Sequence, residues 1–266
     1  MQGYLSFIKL LLLSGMLLGS RVHAEQTLVF GVMNIEFPPY QYIVDGKQSG
    51  PDADIIREVF DRLPGYKLAY KVRPVKRVAK EIENGSLDLT AVFKTPQREK
   101  FALFTKTPIH WSTYKLATLK GNEFDFHKIE DLYGMRIGMM LGNKVSAEFD
   151  RAVEDGRLKA NRVPSFEKTL QLLEKLRVRA VVGNVTIIQY YANKLGFADK
   201  ITILPQPIRA PKAFRFMISK NSGIKDPAAL QQKLEAILSG MLKQGVFDEI
   251  YAKHGLLFER HPIDLD

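Results

Sequence analysis

Few residues of this sequence are arranged as catalysis or metal binding would require. No cysteine occurs among the 266 residues, which excludes disulfides, thiolate metal sites and a cysteine nucleophile. His110, His127, His254 and His261 have no metal-like spacing with one another or with carboxylates. No G-x-S-x-G, Walker or H-E-x-x-H string occurs. The sequence therefore predicts no catalytic residue, no metal and no cofactor.

Cationic groups are the chemistry that the sequence does offer. The chain has 39 basic and 29 acidic residues, and its net charge is +10 at pH 7. Gly142, Asn143 and Lys144 lie at a predicted strand-to-helix turn, where free N–H groups form an anion site. The basic charge indicates either a solvated basic surface or, as the second interpretation, an anionic ligand.

Strand and helix patterns alternate along the chain from residue 25. A buried strand is predicted over residues 27–32 and further strands over 68–72 and 87–93, with amphipathic helices over 52–63 and 75–82 between them. This βαβαβ opening is typical of a parallel sheet covered by helices. A second unit begins with a strand over 135–140 and a helix around 145–153. Two α/β units without a flexible linker leave a cleft between them, where small ligands bind.

Turn and cap residues mark the ends of several predicted elements. Asp45-Gly46 is predicted to form a hairpin turn. Ser165 is predicted to cap a helix, and Asp226 followed by Pro227 is predicted to begin the last long helix.

The first two dozen residues differ from the rest of the chain. Lys9 precedes an apolar run over residues 10–18, and Val22-His23-Ala24 ends the segment with small residues at two positions. This pattern is typical of a secretory signal peptide. The apolar run is about half the ~20 residues that span a bilayer. We therefore expect residues 1–24 to be removed and the mature protein to reside in the periplasm.

Short segments occur in an order and spacing that resemble a known family. They are FPPY (37–40), GPDAD (50–54), NGSLD (84–88), TPQR (95–98), GMRIG (134–138), VVGN (181–184) and GVF (245–247). Together they resemble family 3 of the bacterial extracellular solute-binding proteins, the amino-acid-binding type of ABC transporters. The resemblance covers essentially all of the chain after the predicted signal peptide.

The resemblance implies an α/β fold of the type II periplasmic-binding kind, with two α/β lobes joined by a two-strand hinge. Residues 25–114 would form the first part of lobe 1, residues 115–214 lobe 2 with the hinge strands, and residues 215–266 the C-terminal part of lobe 1. The hinge strands would lie near residues 114–118 and 210–216. Ligand binding would close the lobes by rotation about this hinge.

The resemblance also implies which residues bind the ligand. The implied set is Arg98, Phe37, Thr90, Ala91, Phe93, Thr95, Gly142, Asn143, Lys144 and Asn184. In the family, the arginine at the Arg98 position grips the ligand carboxylate, which suits a guanidinium making two parallel charge-assisted bonds. The alternative is an exposed arginine at a helix start, where its charge is unfavourable. Likewise, Phe37 either packs over the ligand or is a core aromatic, and Thr95 either lies beside the ligand or only caps a helix.

Several positions depart from the family pattern. Asn184 stands where amino-acid binders usually carry an aspartate for the α-ammonium group, and asparagine accepts a hydrogen bond without charge. Phe93 replaces a small hydroxyl residue, and Lys144 replaces a serine or threonine. Asn34 stands where binders of cationic amino acids carry an acid. We therefore expect a ligand with net negative charge, or one without a free α-amino group.

One leading function and two alternatives follow. The leading function is a periplasmic protein that closes on a small carboxylate-bearing ligand, an amino acid or related organic anion, for the membrane permease of an ABC importer. The first alternative is a protein that reports its ligand to a chemoreceptor or histidine kinase. The second is an enzyme resembling the cyclohexadienyl dehydratases, whose acid catalysis would need a carboxyl group such as that of Glu36. The leading function is not enzymatic, and we expect a monomer that binds no nucleic acid.

Overall fold

The computed structural model describes residues 25–34, 37–44 and 47–262. The predicted signal peptide, the Asp45-Gly46 turn and Glu36 lie outside these described residues. Within them, no helix has the length and apolar character needed to cross a membrane.

Strands and helices alternate along the described chain. The first half contains, in chain order, β1 (Gln26–Met33), β2 (Tyr42–Val44), β3 (Lys47–Ser49), α1 (Pro51–Asp61), β4 (Tyr66–Arg73), α2 (Val75–Glu83), β5 (Leu89–Phe93), α3 (Pro96–Glu99), β6 (Ala102–Phe104) and β7 (His110–Ser112). The second half contains β8 (Tyr114–Leu119), β9 (Arg136–Met140), α4 (Ala147–Glu154), β10 (Lys159–Val163), α5 (Phe166–Glu174), β11 (Ala180–Asn184), α6 (Val185–Lys194), β12 (Ile201–Pro207), β13 (Lys212–Ser219), α7 (Pro227–Lys243) and α8 (Val246–Lys253). Two short 3-10 helices cover Ile129–Leu132 and Ala198–Lys200.

The strands form two large sheets. In the first sheet the order is β4-β1-β5-β13-β6, with β7 also paired to β13; β1 runs parallel to β4 and β5, whereas β13 runs antiparallel to its neighbours. In the second sheet the order is β10-β9-β11-β8-β12, with β8 antiparallel to both neighbours. We call the first sheet with α1, α2, α3, α7 and α8 the first lobe, and the second sheet with α4, α5 and α6 the second lobe. The predicted α/β class is confirmed.

Each sheet is covered by apolar side chains on both faces. In the first lobe, one face packs against α1, α7 and α8, and the other packs against α2. In α1, the residues predicted from helical spacing to share a face, among them Ile55, Ile56 and Val59, are all buried. The second lobe has two equivalent clusters around its own sheet. The lobes therefore have separate hydrophobic cores.

Predicted caps begin two of the helices. Ser165 Oγ accepts a hydrogen bond of 3.3 Å from the backbone N–H of Lys168, and Asp226 Oδ1 accepts one of 2.9 Å from that of Ala229. Both caps confirm the sequence prediction, because each satisfies an N–H group that the first helical turn leaves free.

The chain passes between the lobes at two places that lie side by side. It leaves the first sheet after Ser112 and enters the second at Tyr114, and it returns between Pro207 and Lys212. Lys212 pairs with Ser112, and Pro207 pairs with Lys115, so the two crossing strands run together. We call residues 112–115 and 207–212 the crossover. The lobe boundaries at residues 114 and 214 remain predictions.

Candidate functional site

A cavity of about 250 Å³ opens on the first lobe. Its apolar lining comes from Met33, Phe37, Val75, Val92, Phe93 and Phe214. Its polar lining comes from Tyr40, Gln41, Asp52, Arg98 and His110. Mostly apolar walls with a few converging polar groups are typical of small-molecule sites, and the volume suits a molecule no larger than one amino acid or a small organic acid.

A tight turn before α1 positions the aromatic wall of the cavity. Phe37 and Gln41 exchange two backbone hydrogen bonds of 2.7 and 3.1 Å, and Asp52 N–H donates to Tyr40 O at 3.1 Å. Gly50 lies between Tyr40 and Asp52 along the chain and has a φ of 105°. A Cβ atom at Gly50 would come within 2.4 Å of Tyr40 O. Glycine at this position therefore allows the turn to pack directly against the beginning of α1.

Arg98 reaches the cavity from the short helix α3. Thr95 Oγ1 accepts a hydrogen bond of 3.3 Å from Arg98 N–H, so Thr95 acts as the cap of this helix. Nη1 of Arg98 donates to Phe93 O at 2.6 Å, which fixes one edge of the guanidinium. Burial lowers the pKa of Arg98, but an arginine stays protonated in proteins. Because no carboxylate in the described part of the chain pairs with Arg98, its remaining N–H groups are free for an anion.

His110 and Asp52 form a buried polar pair at the same cavity. His110 Nδ1 lies 2.8 and 3.0 Å from the two carboxylate oxygens of Asp52. The imidazole is stacked between Tyr40, at a ring-centre distance of 4.0 Å, and Phe214, at 4.5 Å. Asp52 is 2% exposed and His110 is 3% exposed, so this pair is held in one geometry by its surroundings.

Tyr40 connects the cavity to the second lobe. Its ring lines the cavity, and its hydroxyl donates to Asn184 Oδ1 at 3.0 Å and approaches Trp111 O at 3.3 Å. Asn184 Oδ1 also accepts from Ile187 N–H at 3.2 Å, and its Nδ2 donates to Ser112 Oγ at 3.2 Å. Burial raises the pKa of Tyr40 far above its usual value, so the hydroxyl remains a donor. Asn184 thus ties the lobes together beside the crossover.

The C-terminal segment covers the crossover from the outside. His261 Nε2 and Thr113 Oγ1 lie 2.9 Å apart, and the His261 ring contacts Trp111 at a ring-centre distance of 5.2 Å. Burial raises the pKa of Glu259 to about 6, although a hydrogen bond from Thr113 and the charge of Lys115 oppose the shift. A partly buried carboxyl group therefore lies where the strands cross between the lobes.

The structure places the predicted site residues in three groups. Arg98, Phe37 and Phe93 line the cavity together. Thr90 and Ala91 are buried in β5 behind it, and Thr90 Oγ1 donates to Gly31 O at 2.7 Å. Thr95 and Asn184 belong to the same second group as Thr90 and Ala91, and they act as helix caps beside the cavity.

The third group lies in the second lobe, outside the cavity. The strand-to-helix turn differs from the predicted one, because α4 begins at Ala147 and its cap is Ser146 Oγ, 3.2 Å from Phe149 N. Gly142, Asn143 and Lys144 are therefore in the preceding loop, and the N–H of Asn143 already donates to Met140 O. The Lys144 side chain is 78% exposed, near Asp150 and Glu154. Ligand binding by these three residues stays a prediction.

The sequence prediction missed Tyr40, Asp52 and His110 as cavity residues. Spacing along the chain does not reveal the pair, because Asp52 lies 58 residues from His110. One signal was available, since His110 lies between the apolar side chains of Ile109 and Trp111. A polar residue in such an apolar segment requires a partner when it is buried.

Comparison with known proteins gives a family match and a fold match. Bacterial extracellular solute-binding proteins, family 3, match residues 28–256. The chain is 30% identical over 115 residues to the L-cystine-binding protein TcyK of Bacillus subtilis (strain 168), a match that spans 42% of each protein.

Two solved structures share the fold over most of the chain. A polar amino acid ABC uptake transporter substrate-binding protein from Streptococcus thermophilus has a TM-score of 0.72 at 21% identity, covering 90% of this chain and 89% of that one. An ancestral cationic amino acid solute-binding protein has a TM-score of 0.67 at 20% identity, covering 90% and 98%. The predicted type II periplasmic-binding fold is confirmed.

Proposed function

Because the chain belongs to family 3 of the bacterial extracellular solute-binding proteins, we propose that it is a periplasmic binding protein for a small carboxylate-bearing ligand. The ligand class is an amino acid or related organic anion, and the protein delivers it to the permease of an ABC importer. The single observation that carries this proposal is the Arg98 guanidinium, which lines an apolar cavity with no acidic partner among the described residues.

A carboxylate suits the guanidinium of Arg98. Phe93 O holds one of its N–H groups, and the other N–H groups have no carboxylate partner among the described residues. Two parallel charge-assisted hydrogen bonds to a carboxylate are both stronger and more specific than contacts to a point charge. The apolar walls formed by Phe37, Phe93 and Phe214 then favour a ligand with an apolar body.

The charge of the ligand follows from Asn184. Both acceptor positions of its Oδ1 are used, by Tyr40 O–H and by Ile187 N–H. A ligand ammonium group would therefore find no free acceptor on this side chain. This supports a ligand that has net negative charge or lacks a free α-amino group, and it predicts weak binding of arginine and lysine.

A thermal-shift screen tests the proposal. The panel includes amino acids, L-cystine, their desamino acids and small dicarboxylates, with arginine and lysine as cationic controls. At about one hundred times its dissociation constant, a ligand adds about 2.7 kcal/mol of stability, which raises the melting temperature by about 5–10 °C. Calorimetry then confirms the best ligand. The proposal would be contradicted if no carboxylate in the panel stabilises the protein, or if arginine binds tightly.

Two alternative functions have their own tests. A protein that reports to a sensor would have the same two lobes, so the neighbouring genes provide the test. Genes for a permease and an ATPase would favour the importer, and a chemoreceptor or histidine kinase gene would favour the sensor. The buried Asp52–His110 pair favours the enzyme alternative, because it places a carboxylate and an imidazole at the cavity. Incubation with prephenate and arogenate, followed by product detection, separates turnover from binding.

A further inference from the structure

His110 has two ring nitrogens, and only one of them has a partner among the described residues. Nδ1 is held by both oxygens of Asp52. Nε2 makes no hydrogen bond in the part of the chain that the structure describes, although the residue is 97% buried, with only 3% exposed. Nε2 does not belong to the enclosed polar atoms without a partner in the described part of the chain, so it can still reach solvent or a ligand. The cavity is the space from which a partner for Nε2 can come, because His110 lines it.

The surroundings of His110 determine what Nε2 can do. The Asp52 carboxylate only accepts hydrogen bonds, so it keeps a proton on Nδ1. The second nitrogen, Nε2, accepts a hydrogen bond when the ring is neutral and donates one when the ring is protonated. Tyr40 and Phe214 are both stacked on the imidazole and therefore cover its two faces. A ligand can consequently meet His110 only at the edge of its ring, where Nε2 lies.

The charged groups of the cavity have separate tasks. Among the described residues Arg98 has no acidic partner, and it can hold the ligand carboxylate. Asp52 is already paired with His110, so it acts as a positioning residue and not as a ligand contact. Between Arg98 and His110 the lining consists mainly of apolar side chains. The cavity thus has polar groups for a carboxylate and for one further polar atom of the ligand.

Resting on the proposed function, we propose that His110 Nε2 forms a hydrogen bond with a polar group on the ligand side chain. The site then selects carboxylates whose apolar body carries a hydroxyl or amide group over apolar molecules of the same shape. A site that hydrogen-bonds a ligand hydroxyl rejects the analogue without it, because the protein group is left unpaired in the complex.

Three matched ligand pairs test this selectivity. The pairs are 3-(4-hydroxyphenyl)propionate and 3-phenylpropionate, succinamate and 4-methylpentanoate, and 4-hydroxybenzoate and benzoate. The dissociation constants are measured by calorimetry with the full-length mature protein. We expect the polar member of at least one pair to bind about tenfold more tightly or better. Equal affinities within every pair that binds would overturn the proposal.

Two variants of His110 separate ligand contact from structural support. The Nδ2 of asparagine occupies about the place of histidine Nδ1, so His110→Asn keeps the bond to Asp52 and loses the group at the cavity. The side chain of glutamine reaches the place of Nε2, so His110→Gln keeps a polar group there. Both variants lose the stacked ring, which makes them a matched pair. We expect His110→Asn to lose the selectivity ratio and His110→Gln to retain part of it.

A measurement on the wild-type protein keeps the test valid if the variants unfold. With ¹⁵N-labelled histidine, the Nε2 resonance of His110 should move when the polar member of the tightest pair saturates the protein. An unmoved resonance at saturation, or full selectivity in a folded His110→Asn protein, would overturn the proposal. If no panel member binds, the proposed function and this inference both fail; binding without selectivity overturns the inference alone.

Discussion

The first lobe brings Arg98, Phe93 and His110 to one cavity, whereas the second lobe leaves the loop over residues 141–146 outside it. In the first lobe, each polar group at the cavity is fixed by a neighbour, as Phe93 O fixes Arg98 and Asp52 fixes His110. In the second lobe, Lys144 is mostly exposed. We therefore propose that the first lobe supplies a preformed half-site, and that the second lobe adds contacts only by moving.

The largest expected effect is on Arg98. Replacing Arg98 with Ala should weaken binding of the carboxylate identified by the screen at least about 100-fold, because two charge-assisted hydrogen bonds are lost. Arg98→Lys should recover only part of the affinity, since an ammonium cannot form the paired planar contact. Calorimetry measures the affinities, and the exposed Arg57→Ala is the control for charge alone. Unchanged affinity in Arg98→Ala would show that Arg98 does not bind the ligand carboxylate.

The next effect concerns the tie between the lobes. Asn184→Ala removes the cap of α6 and leaves the buried Tyr40 hydroxyl without its side-chain acceptor. We expect the free energy of unfolding to fall by about 2–4 kcal/mol. Asn193→Ala is the matched control, because exposed Asn193 also bonds across the lobes, to Gly255 O, and should cost less than about 0.5 kcal/mol. Urea denaturation measures the free energy of unfolding of both variants. Equal losses would show that the Asn184 contacts stabilise the protein no more than the exposed Asn193 contact does.

Glu259 at the crossover should make stability depend on pH. Its pKa is raised to about 6 in the folded protein from 4.5, so folding favours the protonated carboxyl group. Its contribution is fully present below pH 4.5 and is lost as the pH rises through about 6. Glu259→Gln should therefore stabilise the protein by about 2 kcal/mol at about pH 8 and by almost nothing at about pH 4.

Denaturation curves at the two pH values test this expectation against an exposed control. Glu249→Gln removes a carboxylate from the surface of α8 and should change stability little at either pH. A Glu259→Gln protein with the same stabilisation at both pH values would show that ionisation of Glu259 plays no part at the crossover.

The smallest effect is expected in the second lobe. Lys144→Ala should change ligand affinity by less than about threefold, because its charge is solvated and partly compensated by Asp150 and Glu154. A loss greater than tenfold would instead show that closure brings this loop onto the ligand, as the family resemblance implies. The same calorimetric protocol as for Arg98 gives a direct comparison of the two lobes.

Local chemistry explains what could be predicted from the sequence. The caps at Ser165 and Asp226 and the buried face of α1 depend on residues within a few positions of one another, and all were predicted. The helix predicted around residues 145–153 begins at Ala147 in the structure, because Ser146 provides the cap. The Asp52–His110 pair could not be predicted from spacing, since the fold joins α1 and β7 across 58 residues.

Hydrogen–deuterium exchange with and without the best carboxylate ligand tests most directly whether the first lobe holds the ligand. Amide protection should be largest in the segment over residues 92–98, which includes Phe93 and Arg98 at the cavity. Protection over residues 139–146 should be smaller, because that loop is joined to the site only by closure of the lobes. Strong protection over 139–146 with none over 92–98 would contradict a binding site preformed in the first lobe.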